Sequence, residues 1–213
     1  VRSSAASDVY KRQQHIYGDM TNSTGVDPID FPALSANPTE YWIVATDAAT
    51  GTPVYFPKSK MKQDDYRCIM ASCALPAACK PIEIDGKLYY DGGVTDAIPV
   101  QRALDDGCDK IVAILSKPRG FIKKPEGMRF LYSRMCRKFP NTVKALDNRH
   151  IMYGKCQQQL YDLEKEGKAF IFAPSNPPKM STYTMDREVE QQLYDLGMKD
   201  FHDAEDRFKK FLI

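Results

Sequence analysis

Three short segments of this chain are apolar on both faces, and they constrain the fold more than any other feature. They are Tyr41–Thr46, Lys110–Leu115 and Ala169–Ala173. Continuous apolar runs of this length are typical of strands that are covered on both sides, as in a largely parallel sheet. Helical stretches follow or alternate with them at about residues 99–106, 127–138, 142–166, 187–196 and 199–212. We therefore predict an α/β fold with a mostly parallel central sheet flanked by helices.

Turn-forming residues predict two hairpins in the first half of the chain. Thr50-Gly51 separates the strand Tyr41–Thr46 from a short strand at about residues 53–56. Asp85-Gly86 lies between Pro81–Ile84 and Lys87–Tyr90, and Asp-Gly is a strong signal for a two-residue hairpin loop. A helix is predicted between the hairpins, starting at Asp64 or Asp65 and ending near Cys73. Residues 15–38 are expected to be mostly loop.

Composition excludes several classes of protein. Of the 213 residues, 43% are hydrophobic and 27% charged, which is ordinary for a soluble globular chain. No apolar run reaches the roughly 18 residues that a membrane span needs. The six cysteines form no C-x-x-C pair, so we expect reduced and mostly buried thiols, in keeping with a cytoplasmic or membrane-peripheral location. The three histidines have no ligand spacing, and we expect neither a metal nor an organic cofactor.

Positive charge is concentrated in one segment, Lys117–Lys155. It contains eleven lysines and arginines and two acidic residues, a net charge of +9, while the rest of the chain carries −7. Its apolar residues recur at helical spacing: Met128, Leu131, Tyr132, Met135 and Phe139. We favour an amphipathic helix with a solvated basic side. Attraction to an anionic membrane surface is the functional alternative. No nucleic-acid-binding motif accompanies the charge, and no nucleic acid is expected as a partner.

Asp91-Gly92-Gly93 directly follows the predicted strand Lys87–Tyr90. A carboxylate at the end of a strand faces the crevice where α/β proteins bind ligands, and it can serve there as a general base. The two glycines allow the backbone to approach a ligand closely. From these three residues alone an ordinary turn is the favoured interpretation, but the longer pattern around them changes it.

The residues around this triplet resemble the patatin-like phospholipase family. The resemblance is carried by Ser72-x-Ala74-x-Pro76, Asp85-Gly86, Asp91-Gly92-Gly93 and Ile98-Pro99-Val100. Val44-Ala45-Thr46-Asp47 with Thr50-Gly51 is similar to the bacterial branch of the family, and Leu193–Gly197 resembles its C-terminal helix. The resemblance runs from about Tyr41 to the end of the chain.

The resemblance implies a lipid acyl hydrolase that works through a Ser-Asp dyad. Asp91 would be the general base that activates the serine without a histidine, and the substrate would be a lipid ester. Gly92, Gly93, Ser72 and Pro76 would support the site rather than react. Asp96, although close in sequence, is expected to be a solvated loop residue, and Cys73 and Cys79 are expected to be buried thiols.

The serine nucleophile of the family is missing from this chain. The family places it in G-x-S-x-G on a strand-to-helix turn, and the 213 residues contain no such motif. Ser23, in Thr21-Asn22-Ser23-Thr24-Gly25, lacks the first glycine and a preceding apolar strand, and we reject it as the nucleophile. We therefore expect residues 14–213 to be the C-terminal portion of a patatin-like domain, inactive alone. The alternative is a complete, serine-less relative that binds lipid or protein without catalysis.

Three structural expectations follow. Residues 1–13 resemble a translated sequencing adapter and are expected to pack against nothing. Asp91 is expected to face an open groove with no upstream Ser or Thr hydroxyl bonded to it. At least one of the strands Tyr41–Thr46 and Lys110–Leu115 is expected to show an unpaired edge or an exposed apolar face.

Overall fold

A computed structural model of the protein describes residues 13–179 and 186–213. The strands in this range are β1 (Trp42–Asp47), β2 (Pro53–Pro57), β3 (Ile82–Ile84), β4 (Lys87–Asp91), β5 (Ile111–Ile114) and β6 (Ala169–Phe172). The helices are α1 (His15–Met20, a short π-helix), α2 (Phe31–Ala36), α3 (Arg67–Ser72), α4 (Val100–Asp105), α5 (Arg129–Met135), α6 (Pro140–Lys165) and α7 (Arg187–Leu212). The chain forms two compact units: one takes in the chain up to Ile98 together with Lys124–Tyr153, and the other consists of Pro99–Lys123 and Gly154–Ile213.

The first unit contains a four-stranded sheet in the order β2-β1-β4-β3, and every pairing in it is antiparallel. The α/β class is confirmed, but the prediction of a mostly parallel sheet is wrong for these strands. The reason lies in the connections: β1–β2 and β3–β4 are joined by short turns, whereas parallel neighbours need a crossover of about a dozen residues or more. Both predicted hairpins are present, and Asp85 adopts a positive φ of 50° in the second turn.

The core of this unit lies between the sheet and α3. Ile43 and Ala45 of β1 are buried there with Phe56 of β2, and the rings of Phe56 and Tyr89 meet edge to face with centroids 4.9 Å apart. Cys68, Met70 and Ala71 cover this layer from α3. The predicted helix is thus confirmed over Arg67–Ser72, and its N-cap residue is Tyr66 rather than an aspartate.

The second unit contains the two-stranded parallel sheet β5-β6. Phe170 and Phe172 of β6 pack against Phe201, Phe208 and Phe211 of α7, with ring centroids 5.2–5.7 Å apart. The expectation that Lys110–Leu115 is covered on both faces is wrong. Val112 and Ile114 of β5 are 41% and 83% exposed, so this strand has the exposed apolar face that was expected of at least one strand.

Three further segments differ from the sequence prediction. The residues from Arg187 to Leu212 form one helix, α7, and Gly197 does not interrupt it. The segment 15–38 contains two short helices, α1 and α2. Gln13 is buried, and its side chain donates a 2.5 Å hydrogen bond to the Cys73 carbonyl. The expectation that residues 1–13 pack against nothing is therefore wrong at Gln13. Residues 1–12 lie outside the described range. No helix within residues 13–179 and 186–213 has the length and apolar character to span a bilayer.

Candidate functional site

Asp91 is the last residue of β4, whereas the sequence placed it directly after the strand. Its backbone pairs with Ala45 in the neighbouring strand β1. Its side chain caps the short 3-10 turn Gly92–Val94, because Oδ1 accepts a 2.7 Å hydrogen bond from the Gly93 N–H. One oxygen of the carboxylate is therefore fixed by the backbone of the next turn.

Gly92 and Gly93 both lie close to neighbouring atoms of the site. A Cβ on Gly92 would lie 2.3 Å from the Val44 carbonyl oxygen of β1, so only glycine lets the turn approach the strand. A Cβ on Gly93 would lie 3.1 Å from Asp91 Oδ1 and 3.4 Å from a terminal guanidinium nitrogen of Arg149. The second glycine thus leaves space between a carboxylate and a guanidinium.

The segment Ser72–Pro76 lies beside Asp91 through the backbone. The Asp91 N–H donates a 2.9 Å hydrogen bond to the Ala74 carbonyl, which joins the two parts of the sequence motif in space. Ser72 is the last residue of α3 and is half-buried, and among the described residues it makes no hydrogen bond to Asp91. Pro76 is buried. Both residues lie where a supporting role would place them.

Two threonines, one buried and one half-buried, support the end of β4 from the other side. Thr46 of β1 is fully buried, and its hydroxyl donates a 2.8 Å hydrogen bond to the Asp91 backbone carbonyl. The Thr95 hydroxyl lies 2.9 Å from the Thr46 hydroxyl. Since Thr46 donates to Asp91, Thr95 donates to Thr46. No Ser or Thr hydroxyl in the described residues donates to the carboxylate of Asp91 itself.

Burial raises the pKa of the Asp91 carboxyl above its ordinary value of 3.8. The hydrogen bond from Gly93 and the positive charge of Arg149 act in the opposite direction, and burial outweighs them. Oδ2 has no hydrogen-bond partner among the described residues. It does not belong to their buried side-chain atoms that lack a partner, so it is accessible to solvent. The arrangement is a carboxylate with one oxygen fixed, one oxygen accessible and a raised proton affinity.

Sequence reasoning missed Arg149, which it counted only as one of the basic residues of Lys117–Lys155. Its Nε donates a 2.6 Å hydrogen bond to the Gly93 carbonyl, and Nη1 lies 2.9 Å from Glu126 Oε1. A signal was present in the spacing: Thr142 and Leu146 are buried on α6, and Arg149 follows on the same helical face. A basic residue at a position where an apolar one is expected is a candidate for a specific partner.

Two other residues considered from the sequence have different partners. Ser23 donates to Asp64 through both its hydroxyl and its backbone N–H, each at 2.7 Å. The hydrogen bond from Gln63 lowers the pKa of Asp64 most, and the two bonds from Ser23 lower it further. Asp96 is half-buried rather than solvated and accepts a hydrogen bond from the Tyr55 hydroxyl. Ser23 is thus held by a carboxylate other than Asp91.

All six cysteines are free thiols, but they differ in how buried they are. Cys68, Cys79 and Cys136 are buried, as expected, whereas Cys73 is exposed, contrary to expectation. The Cys73 sulfur lies 3.4 Å from the Tyr17 hydroxyl. Burial raises the pKa of Cys79, so its thiol is neutral next to Asp91.

The basic segment Lys117–Lys155 combines charge with exposed apolar side chains. Tyr132 of α5 is buried, and its hydroxyl donates to Asp147, which also pairs with Arg129. The opposite side of α5 exposes 80% of Phe130, and 70% of Met128 is exposed just before the helix. Met128 was predicted to lie on the inner face of the helix, and that prediction is wrong.

Comparison with known proteins identifies the segment that contains these residues. A family model for patatin-like phospholipases matches residues 8–104, which include Ser72, Pro76 and Asp91-Gly92-Gly93. This segment of the chain is therefore similar to the patatin-like phospholipase family. The resemblance stated from the motifs is confirmed for this segment. A second family model, a domain of unknown function called DUF6363, matches residues 139–213.

Curated relatives also match part of this chain. An uncharacterized NTE family protein from Mycobacterium bovis is 33% identical over 82 residues, which are 38% of this chain and 22% of the relative. Uncharacterized NTE family proteins from two strains of Mycobacterium tuberculosis give the same values. The match therefore spans 22% of the length of these relatives.

Proposed function

We propose that this chain carries the general base of a patatin-like lipid acyl hydrolase and that Asp91 is that base. The observation that carries the proposal is the state of its carboxylate. Oδ1 is held by Gly93, Oδ2 is open to solvent, and burial raises the pKa of the group. A base must be positioned and must bind a proton readily, and both conditions are met by Asp91 in a segment that matches the family.

The proposed reaction is the hydrolysis of a carboxylic ester of a phospholipid or related lipid. A serine hydroxyl gives its proton to Asp91 as its oxygen attacks the ester carbonyl. Asp91 returns the proton to the leaving alcohol, and an acyl-serine remains. Water then gives a proton to Asp91 and attacks the acyl group, and Asp91 returns this proton to the serine oxygen as the fatty acid is released. We propose that this serine, in G-x-S-x-G, belongs to a part of the protein other than these 213 residues.

A second candidate function comes from another class. Because the 213 residues contain no G-x-S-x-G, a serine-less relative that binds lipid or protein without catalysis would have the same sequence in this region. The raised pKa of Asp91 favours the enzyme, since a binding module gains nothing from a partly buried carboxylate with an accessible oxygen.

We also propose that the protein works at an anionic membrane surface and is otherwise cytoplasmic. Phe130 and Met128 are exposed apolar side chains, and exposed basic residues follow them closely on the chain at Arg134, Arg137 and Lys138. Apolar side chains that enter the interface, together with basic residues that meet anionic headgroups, are the two components of peripheral binding. This location would suit an enzyme whose substrate is in the membrane.

The test determines the gene sequence upstream of this chain and compares the 213-residue chain with any longer protein that the gene encodes. We expect a G-x-S-x-G upstream, and ester hydrolysis by the longer protein that is lost, by about 1,000-fold or more, when its serine becomes alanine or Asp91 becomes asparagine. Asp96→Asn is the matched control and should retain most of the activity. The 213-residue chain alone should not hydrolyse short-chain p-nitrophenyl esters.

Two outcomes would contradict the proposal. If the 213-residue chain hydrolyses esters and Asp91→Asn abolishes this, the nucleophile lies within it and the serine is misplaced. If the longer protein has no G-x-S-x-G and no esterase activity, the binding module is the correct function.

A further inference from the structure

The two family matches do not overlap, and they meet in space at the candidate site. The patatin-like match ends at residue 104 and the DUF6363 match starts at residue 139. Helix α6 begins at Pro140, so it belongs to the second match. Residues up to Tyr153 of this helix nevertheless lie in the same compact unit as Asp91. The domain of unknown function therefore supplies side chains to the unit that contains the patatin-like motif.

We propose that helix α6 of the DUF6363 region completes the candidate active site, with Arg149 as a positioning residue that holds the Asp-Gly-Gly turn and sets the charge around Asp91. The inference rests on the proposed role of Asp91 as the base. It assigns a function to a region whose family description gives none.

The contacts of Arg149 span the turn. Nε donates to the Gly93 carbonyl at 2.6 Å, while Nη1 is paired with Glu126 at 2.9 Å. Nη2 and Asp91 Oδ1 both lie within 3.4 Å of the point where a Cβ on Gly93 would be. The side chain of Arg149 is only 19% exposed. A planar guanidinium suits this position, since two of its nitrogens donate to the Gly93 carbonyl and to Glu126 at the same time.

The position of α6 does not depend on Arg149 alone, because residues at the start of the helix make their own hydrogen bonds and apolar contacts. The buried Thr142 hydroxyl donates to the Ala48 carbonyl at 2.7 Å, and the Asn141 side chain donates to the Ala49 carbonyl at 2.9 Å. Leu146 is buried in a cluster with Val94 and Tyr132. A half-buried arginine adds cost to such an interface unless it has a partner, and its partner here is the turn that Asp91 caps.

The groups that face Asp91 are few, so the electrostatic effect can be tested directly. Arg149 of α6 lowers the pKa of Asp91, and the buried Cys79 thiol, in the segment after α3, is the other titratable neighbour. Glu126 lies on the far side of Arg149 and offsets part of its charge. Removal of Arg149 and removal of the Glu126 charge should therefore shift the pKa of Asp91 in opposite directions.

The experiment measures the pKa of Asp91 by carboxyl ¹³C NMR in the whole chain, with no assay of activity. In Arg149→Met we expect the pKa of Asp91 to rise, and in Glu126→Gln to fall. Arg149→Lys keeps the charge, so the pKa should stay near its original value, while exchange of the Gly93 N–H with solvent should accelerate about tenfold as the bridging bonds are lost. Arg129→Met, which removes an ion-paired arginine from α5, is the matched control and should change neither quantity.

A merely structural role predicts the opposite sign. If Arg149 only filled space, its loss would let water reach Asp91, and the pKa would fall toward the ordinary value because burial is what raises it. A fall or no change in Arg149→Met would overturn the proposal. If Arg149→Met does not fold, the other two variants decide. The proposal is overturned if the pKa of Asp91 is unchanged in Glu126→Gln and the exchange rate of the Gly93 N–H is unchanged in Arg149→Lys. These results are independent of esterase activity, so failure here and failure of the proposed function are distinguishable.

Discussion

Gly92 and Gly93 are neighbours in the chain, but Gly92 lies close to backbone atoms and Gly93 lies close to side-chain atoms. The Cβ of an alanine at residue 92 would meet backbone, the Val44 carbonyl, at 2.3 Å. At residue 93 it would meet the ends of the Asp91 and Arg149 side chains at 3.1 and 3.4 Å. Side-chain atoms can move by a few tenths of an ångström, whereas a paired strand cannot. The two glycines of one motif therefore have separate structural reasons.

At the residue scale we predict that Gly92→Ala lowers the free energy of unfolding by about 2–3 kcal/mol or more, because the turn must separate from β1. Gly93→Ala should cost about 1 kcal/mol or less, since only side chains must shift. Urea denaturation of both variants measures the difference. Equal losses would mean that the approach of the turn to Val44 is not as close as described.

At the element scale, two glycines have different roles: one lies inside the long helix α7, and the other follows the long helix α6. Gly197 lies inside α7, and a Cβ there would meet nothing within 4 Å. Gly167 follows α6 in equally open space but has a φ of +73°. The sequence pattern suggested that Gly197 ends a helix. An interior glycine costs only about 1 kcal/mol relative to alanine, so the helix continues through it.

We predict opposite signs for alanine at these two positions. Gly197→Ala should raise the free energy of unfolding by about 0.5–1 kcal/mol, because alanine loses less backbone entropy in a helix. Gly167→Ala should lower it by about 1 kcal/mol, because an L-residue is strained at positive φ. Thermal or urea unfolding checks both values. A destabilised Gly197→Ala protein would indicate that α7 is broken at this residue.

At the scale of the whole molecule, the proposed membrane surface can be tested with vesicles. We expect binding to vesicles that contain an anionic phospholipid to exceed binding to neutral ones, and salt to weaken it. Phe130→Ser should reduce binding about tenfold, in line with the roughly 1.5 kcal/mol or more from burying such a side chain. Val26→Ser is the matched control: Val26 is 84% exposed but lies outside the basic segment. Equal binding to both vesicle types would leave only a solvated basic face.

Most of what the sequence predicted correctly depends on a few neighbouring residues. Asp85-Gly86 specified the hairpin of β3 and β4, and Gly107 ended α4 in the left-handed conformation with a φ of +80°. The place of Asp91 at a strand end follows from the same local pattern, and the wider motif identified the family. Such features are readable because turn and cap preferences act within one or two turns of the chain.

Only the tertiary structure decided which distant residues meet. Strand β1 pairs antiparallel with β4 although β2, α3 and β3 lie between them in the sequence, and the apolar character of β1 does not encode this pairing. Arg149 reaches the Gly93 carbonyl across 56 residues of sequence, and the separation of Gln13 from its partner Cys73 is 60. Local preferences cannot determine such contacts, because they depend on how whole elements bury their apolar faces against one another. Sequence alone therefore identified the carboxylate of the candidate site, and the packing of α6 determined which charge lies beside it.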